Sequence, residues 1–319
     1  MKNYIICNLA YGPDYVRLFT ENHLKSVLDE TNLPELKKSG VEVDYYIFSD
    51  RPSLESMGPN ENVNKLSTLV NVTGVPFVEP TDYKKRYDLL GKMLRKGVQK
   101  ALEKDAYLTV FAADGVVAKG FFPKMLKHIE GHGAVFHCPM RAAVEVCQET
   151  LSKAPAALTP EELFHAGYNN LHPLWNASHY EAAQFSKIPY TMLWNSGTGL
   201  LARSFSVSPM IFKPTEKMRN VNMADYDLPS LCENPKWLEN WEDCPIVGME
   251  PLGCFYPPFT NHKANPQWIR DEFGKHLHKS QFDFVKHKFY YPNKETANIS
   301  PETDYKSDFE IDIIRMETK

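Results

Sequence analysis

Long apolar runs are absent from this chain of 319 residues. No stretch approaches the roughly 18 residues that a bilayer span needs, so no membrane span is expected. The opening Met1-Lys-Asn-Tyr-Ile-Ile-Cys-Asn also lacks the apolar core of a signal peptide, and the expected setting is cytoplasmic. The six cysteines (Cys7, Cys138, Cys147, Cys232, Cys244 and Cys254) contain no Cys-x-x-Cys pair. A chain of this size needs no disulfide staples, so they read as buried thiols. An excess of positive charge is missing too: Lys and Arg number 36 against 40 Asp and Glu, for a formal net charge of -4. That balance argues against a nucleic-acid partner and against adhesion to anionic lipid.

The missing motifs exclude more. No Gly-x-Gly-x-x-Gly follows the first strand, and there is no Gly-x-x-x-x-Gly-Lys-Ser/Thr, no Gly-x-Ser-x-Gly and no His-Glu-x-x-His. The common dinucleotide, P-loop, serine-hydrolase and zinc-protease readings are thereby removed.

What is present is an alternation of strand and helix signals. Residues 3–9 read as a strand, and Ala10-Tyr-Gly-Pro-Asp14 leads into a helical pattern. Residues 43–48 form a second strand ending at Ser49-Asp50, and a short strand is expected near 65–72. A helix over 82–103 carries Tyr87, Leu90, Leu94, Val98 and Leu102 on one face. Next comes Tyr107-Leu-Thr-Val-Phe-Ala-Ala-Asp114-Gly115, an apolar run that fits a buried parallel strand ending on one carboxylate. A helix over 122–129 and a strand over 134–138 complete the pattern of an α/β doubly wound sheet. The second half is less regular. Thr159-Pro-Glu-Glu162 is a helix start with a capping box, residues 192–202 and 207–212 read as strands, and a helix begins at Asn265-Pro266. The polar tail after Tyr291 is expected to wrap the surface or to be mobile.

In an open α/β sheet, ligands bind beyond the carboxyl ends of the strands, which is where Asp114 stands. The plainer alternative is an aspartate that caps the next helix. Tyr11-Gly12, Asp50 and Asp114 offer three strand-end loops that can meet over one crevice, a set that suits a nucleotide-diphosphate sugar. One acid would receive hydrogen bonds from base or ribose, and another would hold Mn2+ or Mg2+ against the diphosphate. A single carboxylate cannot hold the metal alone. The remaining ligands must come from water, phosphate or the second half.

This order of elements resembles a glycosyltransferase of the GT-A type. Val110-Phe-Ala-Ala-Asp114-Gly-Val-Val-Ala-Lys-Gly120 is similar to that class's metal-site segment, and Trp194-Asn195-Ser196-Gly197-Thr-Gly-Leu200-Leu-Ala-Arg203 to its Asn-Ser-Gly strand. The similarity covers roughly residues 3–205. It implies a GT-A-like doubly wound mixed sheet flanked by helices, in one large domain with a C-terminal elaboration. Residues 1–140 would form the nucleotide-sugar-binding half and 141–319 the acceptor-binding half. Ala112 stands where the family's Asp-x-Asp has its first acid, so the motif is degenerate.

The resemblance implies roles for Tyr11, Gly12 and Asp50 at the nucleoside, Asn195, Ser196 and Gly197 at the sugar, and Asp114 at the metal. His262, in Thr260-Asn-His262-Lys263, is the second metal candidate by chain order, set against a loop histidine with no ligand. Arg86 and Lys92 are candidate diphosphate contacts, and Arg203 is a candidate diphosphate or acceptor contact. The other basic residues of the 82–103 helix (Lys84, Lys85, Arg95, Lys96 and Lys100) read as a solvated face. Asp225, Asp227 and Glu250 are candidate general bases, and the sequence does not choose among them. Trp175, Trp194, Trp237, Trp241 and Tyr256 suit either a carbohydrate acceptor surface or core packing. The implied activity is sugar transfer from a nucleotide-sugar donor to a carbohydrate or other hydroxyl acceptor. A nucleotidyltransferase acting on a sugar phosphate, or a non-catalytic GT-A-like scaffold, are the alternatives.

Overall fold

The computed structural model describes residues 2–78, 86–154, 156–253 and 259–316. Strand β1 (Asn3–Leu9) shows why the sheet is covered on both sides. Ile5, Cys7 and Leu9 enter one core cluster while Tyr4 and Ile6 enter another. Successive side chains of a strand point to opposite faces, so each face of β1 has its own core. Full burial of such side chains is worth about 1.5–3 kcal/mol each.

Along the chain follow β2 (Glu42–Asp50), β3 (Asn71–Phe77), β4 (Tyr107–Ala112), β5 (Gly115–Val117), β6 (Ala134–His137) and β7 (Met140–Ala143). The second half adds β8 (Thr191–Asn195), β9 (Leu200–Ser204), β10 (Ser208–Phe212), β11 (Pro235–Trp237), β12 (Ile246–Glu250) and β13 (Phe289–Tyr291). The main sheet has the order β11-β6-β10-β4-β1-β2-β3. Its β4-β1-β2-β3 portion is parallel, and β10 runs antiparallel to both β4 and β6. Two three-stranded sheets flank it, β5-β12-β7 and β13-β9-β8.

The fold is therefore a mixed α/β arrangement whose parallel-dominated sheet is flanked by helices. One face takes the helix Arg86–Lys104, which lies close enough that a Cβ added at Gly97 would meet Cys7 Sγ at 3.0 Å and Leu108 Cδ1 at 3.2 Å. The other takes the helix Phe121–His128, through Phe121, Phe122 and Met125. Because β10 and β11 lie in the same sheet as β1, the two halves of the chain are interleaved.

Several expectations change. Residues Glu61–Leu69 form a helix capped by Asn60, and the strand expected near 65–72 begins only at Asn71. The run 192–202 is a hairpin, β8 and β9, rather than one strand. The tail forms the helix Pro301–Arg315, capped by Ser300. Thr159 and Glu162 do form a capping box. Residues 82–85, Cys254 and Tyr256 lie outside the described part. Cys7, Cys138, Cys147 and Cys244 are buried thiols, and Cys232 is half-buried. No helix among the described residues is long and apolar enough to cross a membrane.

Candidate active site

The chain runs outward from β1 to β2 and β3, then returns to the far side of β1 as β4. The β1–β4 pair is thus the point where strand order reverses, the usual binding place in an open α/β sheet. A cavity of about 880 Å3 opens there, lined by Leu9 at the end of β1 and by Ala112, Ala113 and Asp114 at the end of β4. Its size falls in the range of small-molecule and cofactor sites. The opposite wall comes from the second half, with Arg141, Trp175, Tyr190, Asp225, Tyr226 and Glu250.

The charged groups are placed by the β5-β12-β7 sheet. Asp114 immediately precedes β5, and its carbonyl accepts a hydrogen bond from the Met249 N–H at 2.8 Å. Gly248 of β12 pairs with Gly115 on one side and with Arg141 on the other. Gly248 and Glu250 are two residues apart and share a face of the strand. The Arg141 side chain lies over the glycine and reaches Glu250, Nη1 to Oε1 2.8 Å, with Asp114 Oδ2 at 3.5 Å. A Cβ at Gly248 would come within 2.9 Å of both Cδ and Nη1 of Arg141. The empty position is what lets the guanidinium lie there.

Burial sets the electrostatics. Asp114 is only 7% exposed. Burial pushes its carboxyl up from 3.8 to about 6, with Arg141 opposing that rise and Glu250 adding to it. Arg141 is held more firmly protonated, first by Glu250 against the cost of burial, then by Asp114 and Asp225. Asp225 is also raised by burial, against Arg141 and a hydrogen bond from Ser206 Oγ at 3.3 Å. Its loop is fastened to the helix Arg86–Lys104, where Arg95 donates to Asn222 Oδ1 at 2.6 Å. Behind Glu250, the buried His172 ring lies 4.0 Å away. Its Nδ1 accepts the Leu174 N–H at 3.2 Å, which puts the ring proton on Nε2.

The structure sorts the expected residues. Tyr11, Asp114, Asp225 and Glu250 line one cavity. Gly12, with φ of 74°, starts the helix Pro13–Leu18 and donates its N–H to Ser53 Oγ. Asp50 caps the helix Arg51–Met57, accepting from Ser53 N at 2.8 Å and Ser53 Oγ at 2.9 Å, and does not line the cavity. Asp227 accepts from the N–H groups of Asn222 and Met223 and so closes its own loop.

Asn195, Ser196 and Gly197 form the β8–β9 turn, where Asn195 Oδ1 accepts the Gly197 N–H at 2.7 Å and Ser196 Oγ bonds Gly199 and Ala297. Arg203 is buried, donating to the Lys286 carbonyl at 2.6 Å and to Ser307 and Asp308 of the C-terminal helix. Lys92 is exposed and is not part of the cavity wall, and the Arg86 side chain lies outside the described part. His262 faces the Lys263 carbonyl at 2.6 Å and packs edge-on to Trp268, away from the cavity wall. Among the described residues no group of three His, Cys, Asp or Glu could hold a metal ion. The expected Asp114–His262 pair does not fit that role, since Asp114 faces a guanidinium and His262 does not line its cavity. Of the aromatics, Trp175 lines the cavity while Trp194 and Trp241 are buried in core clusters.

Sequence reasoning missed Arg141 and the rim segment Lys275, His276 and His278, which also lines the cavity. The available signal for Arg141 was a lone cation two residues after Pro139, just past the strand over 134–138.

No family model and no curated protein matches the chain. Among solved structures it is similar to S. aureus TarS, with a TM-score of 0.37 and 10% identity over 78% of this chain and 37% of that one. Mouse xyloside xylosyltransferase 1, in apo form, gives a TM-score of 0.33 and 9% identity over 48% of this chain and 59% of that one. The chain spans 37% and 59% of the lengths of these two proteins. A likeness this loose fixes neither activity nor substrate.

Proposed function

We propose that this protein is a glycosyltransferase moving a sugar from a nucleotide-diphosphate donor to an acceptor hydroxyl. The observation that carries the reading is the cavity at the β1–β4 switch point, where Asp114, Asp225 and Glu250 gather around Arg141. The donor would enter past Tyr11 and the strand ends, with Lys275, His276 and His278 on the rim toward its phosphates. The acceptor would rest against Trp175, Tyr190 and Tyr226, where aromatic faces suit a sugar ring.

Asp225 is the base this reading favours. It lines the cavity, its carboxyl is raised, and Glu250 is already paired with Arg141 at 2.8 Å. A raised carboxylate is better matched to taking a hydroxyl proton near neutral pH. Activity should therefore fall on the acid side, along a limb lying above the ordinary carboxylate range. A divalent cation in such a reaction would bridge the diphosphate oxygens. The described side chains do not build a site for one, so Mn2+ enters as a variable of the assay.

The test is release of nucleoside diphosphate from a panel of UDP- and GDP-linked sugars, and of CMP from CMP-linked ones, followed by NMR, with wild type and Asp225→Asn. Turnover of one donor, lost in the variant while donor binding persists, is the expected result. Absence of both turnover and nucleotide binding across the panel would end this reading. Binding without turnover would make the chain a nucleotide-sugar-binding protein.

A further inference from the structure

We propose that Arg141 is the built-in cation of this site, receiving the substrate's diphosphate where a metal ion was expected. The inference rests on the glycosyl-transfer reading and concerns how that site neutralises its leaving group.

Three observations converge on this residue. Arg141 stands between Glu250 at 2.8 Å and Asp114 at 3.5 Å, so the carboxylate nominated as metal ligand already has a positive partner. A divalent ion on Asp114 needs oxygen ligands at about 2.0–2.2 Å and would be repelled by the neighbouring guanidinium. Gly248 leaves the space that the Arg141 side chain fills, which makes the placement a feature of the sheet rather than of a drifting side chain. The guanidinium also keeps access to the cavity, with its side chain 36% exposed, so a ligand can reach it.

The chemistry follows from that placement. The bond between the sugar carbon and the diphosphate oxygen breaks, and its electron pair stays on the diphosphate. The acceptor oxygen forms the new bond and passes its proton to Asp225. Charge grows on the departing oxygens, and a guanidinium fork matches phosphate oxygens in geometry and sign. Glu250 holds the fork from behind, and the looser contact to Asp114 is the one a phosphate displaces.

Calorimetry with UDP and with GDP, on the full chain in EDTA and then in Mn2+, tests the proposal. Wild type should bind one of them equally well in both buffers. Arg141→Ala should weaken binding by about thirtyfold or more in EDTA, the loss expected when a charged hydrogen-bond partner is truncated. Gly248→Ala keeps every charged residue and should weaken binding as well, by pushing the guanidinium aside. Arg141→Lys keeps the charge without the fork and should fall between wild type and Arg141→Ala. Thermal unfolding checks that each variant is folded; if Arg141→Ala is not, Gly248→Ala and Arg141→Lys decide the matter. Nucleotide binding that requires Mn2+ would overturn the role of Arg141 while leaving glycosyl transfer standing. Undiminished binding by the folded variants in EDTA would do the same. No nucleotide binding in either buffer would remove both.

Discussion

Arg141 and Arg203 each sit on a three-stranded sheet beside the main one, and they have opposite circumstances. Arg203, on β9, is buried, with Nη1 donating to the Lys286 carbonyl and Nη2 to Ser307 and Asp308. It staples the C-terminal helix to the sheet. The guanidinium of Arg141, on β7, is shared between two carboxylates at the edge of a cavity and makes no hydrogen bond to backbone among those described. A guanidinium committed to a backbone carbonyl and to two side chains of one helix is spent on folding. One balanced between acids remains open to exchange with a ligand anion.

The largest expected effect separates the two. Arg203→Ala should cost about 3 kcal/mol in urea unfolding, because it empties the buried volume the side chain fills and removes its hydrogen bonds to the Lys286 carbonyl, Ser307 and Asp308. Arg141→Ala should cost less, about 1–2 kcal/mol, because the buried Asp114 loses its cation but can take up a proton in its place. Equal losses would dissolve the contrast.

Asp114→Asn sharpens it from the acid side. In the folded chain Asp114 titrates at about 6 rather than 3.8, so its ionised form opposes folding. That cost is absent below pH 3.8, grows through the window to 6 and is complete above it. The variant should therefore be more stable than wild type above this window, by at most about 3 kcal/mol, and no different below it. Lower stability at pH about 8 would show that Asp114 is held by its partners more strongly than burial opposes it.

The smallest effect tests the β8–β9 turn. Ser196→Ala should cost about 1 kcal/mol by removing hydrogen bonds that close the hairpin, and nucleotide binding should not change. A loss of donor affinity there would return the Asn195-Ser196-Gly197 segment to the site.

Much of the scaffold was legible because its cues are local. The apolar runs of β1 and β4, the end of β2 at Asp50 and the capping box at Thr159 all announce themselves within a few residues. Asp114 was legible for the same reason, standing between an apolar run and a glycine. Local cues were also incomplete. Asp50 reads as a functional strand-end acid and is also a helix cap, and Asn195-Ser196-Gly197 reads as a pocket strand and forms a turn. The apolar residues near 65–72 suit a strand, but Asn60 caps a helix first. Arg141 was invisible for a different reason. Its partners are 27 and 109 residues away in sequence, and only the pairing of β7 with β12 brings them together.

The empty position at Gly248 carries an evolutionary consequence. A lineage that keeps arginine at 141 in this position is under pressure to keep glycine at 248, because a Cβ there would stand 2.9 Å from the arginine's Cδ and Nη1 and push the guanidinium aside. That pressure is lifted if position 141 first gives up its long side chain. Chains that have lost the arginine should then be free to carry alanine or serine at 248. The two sites would then change as a pair rather than singly.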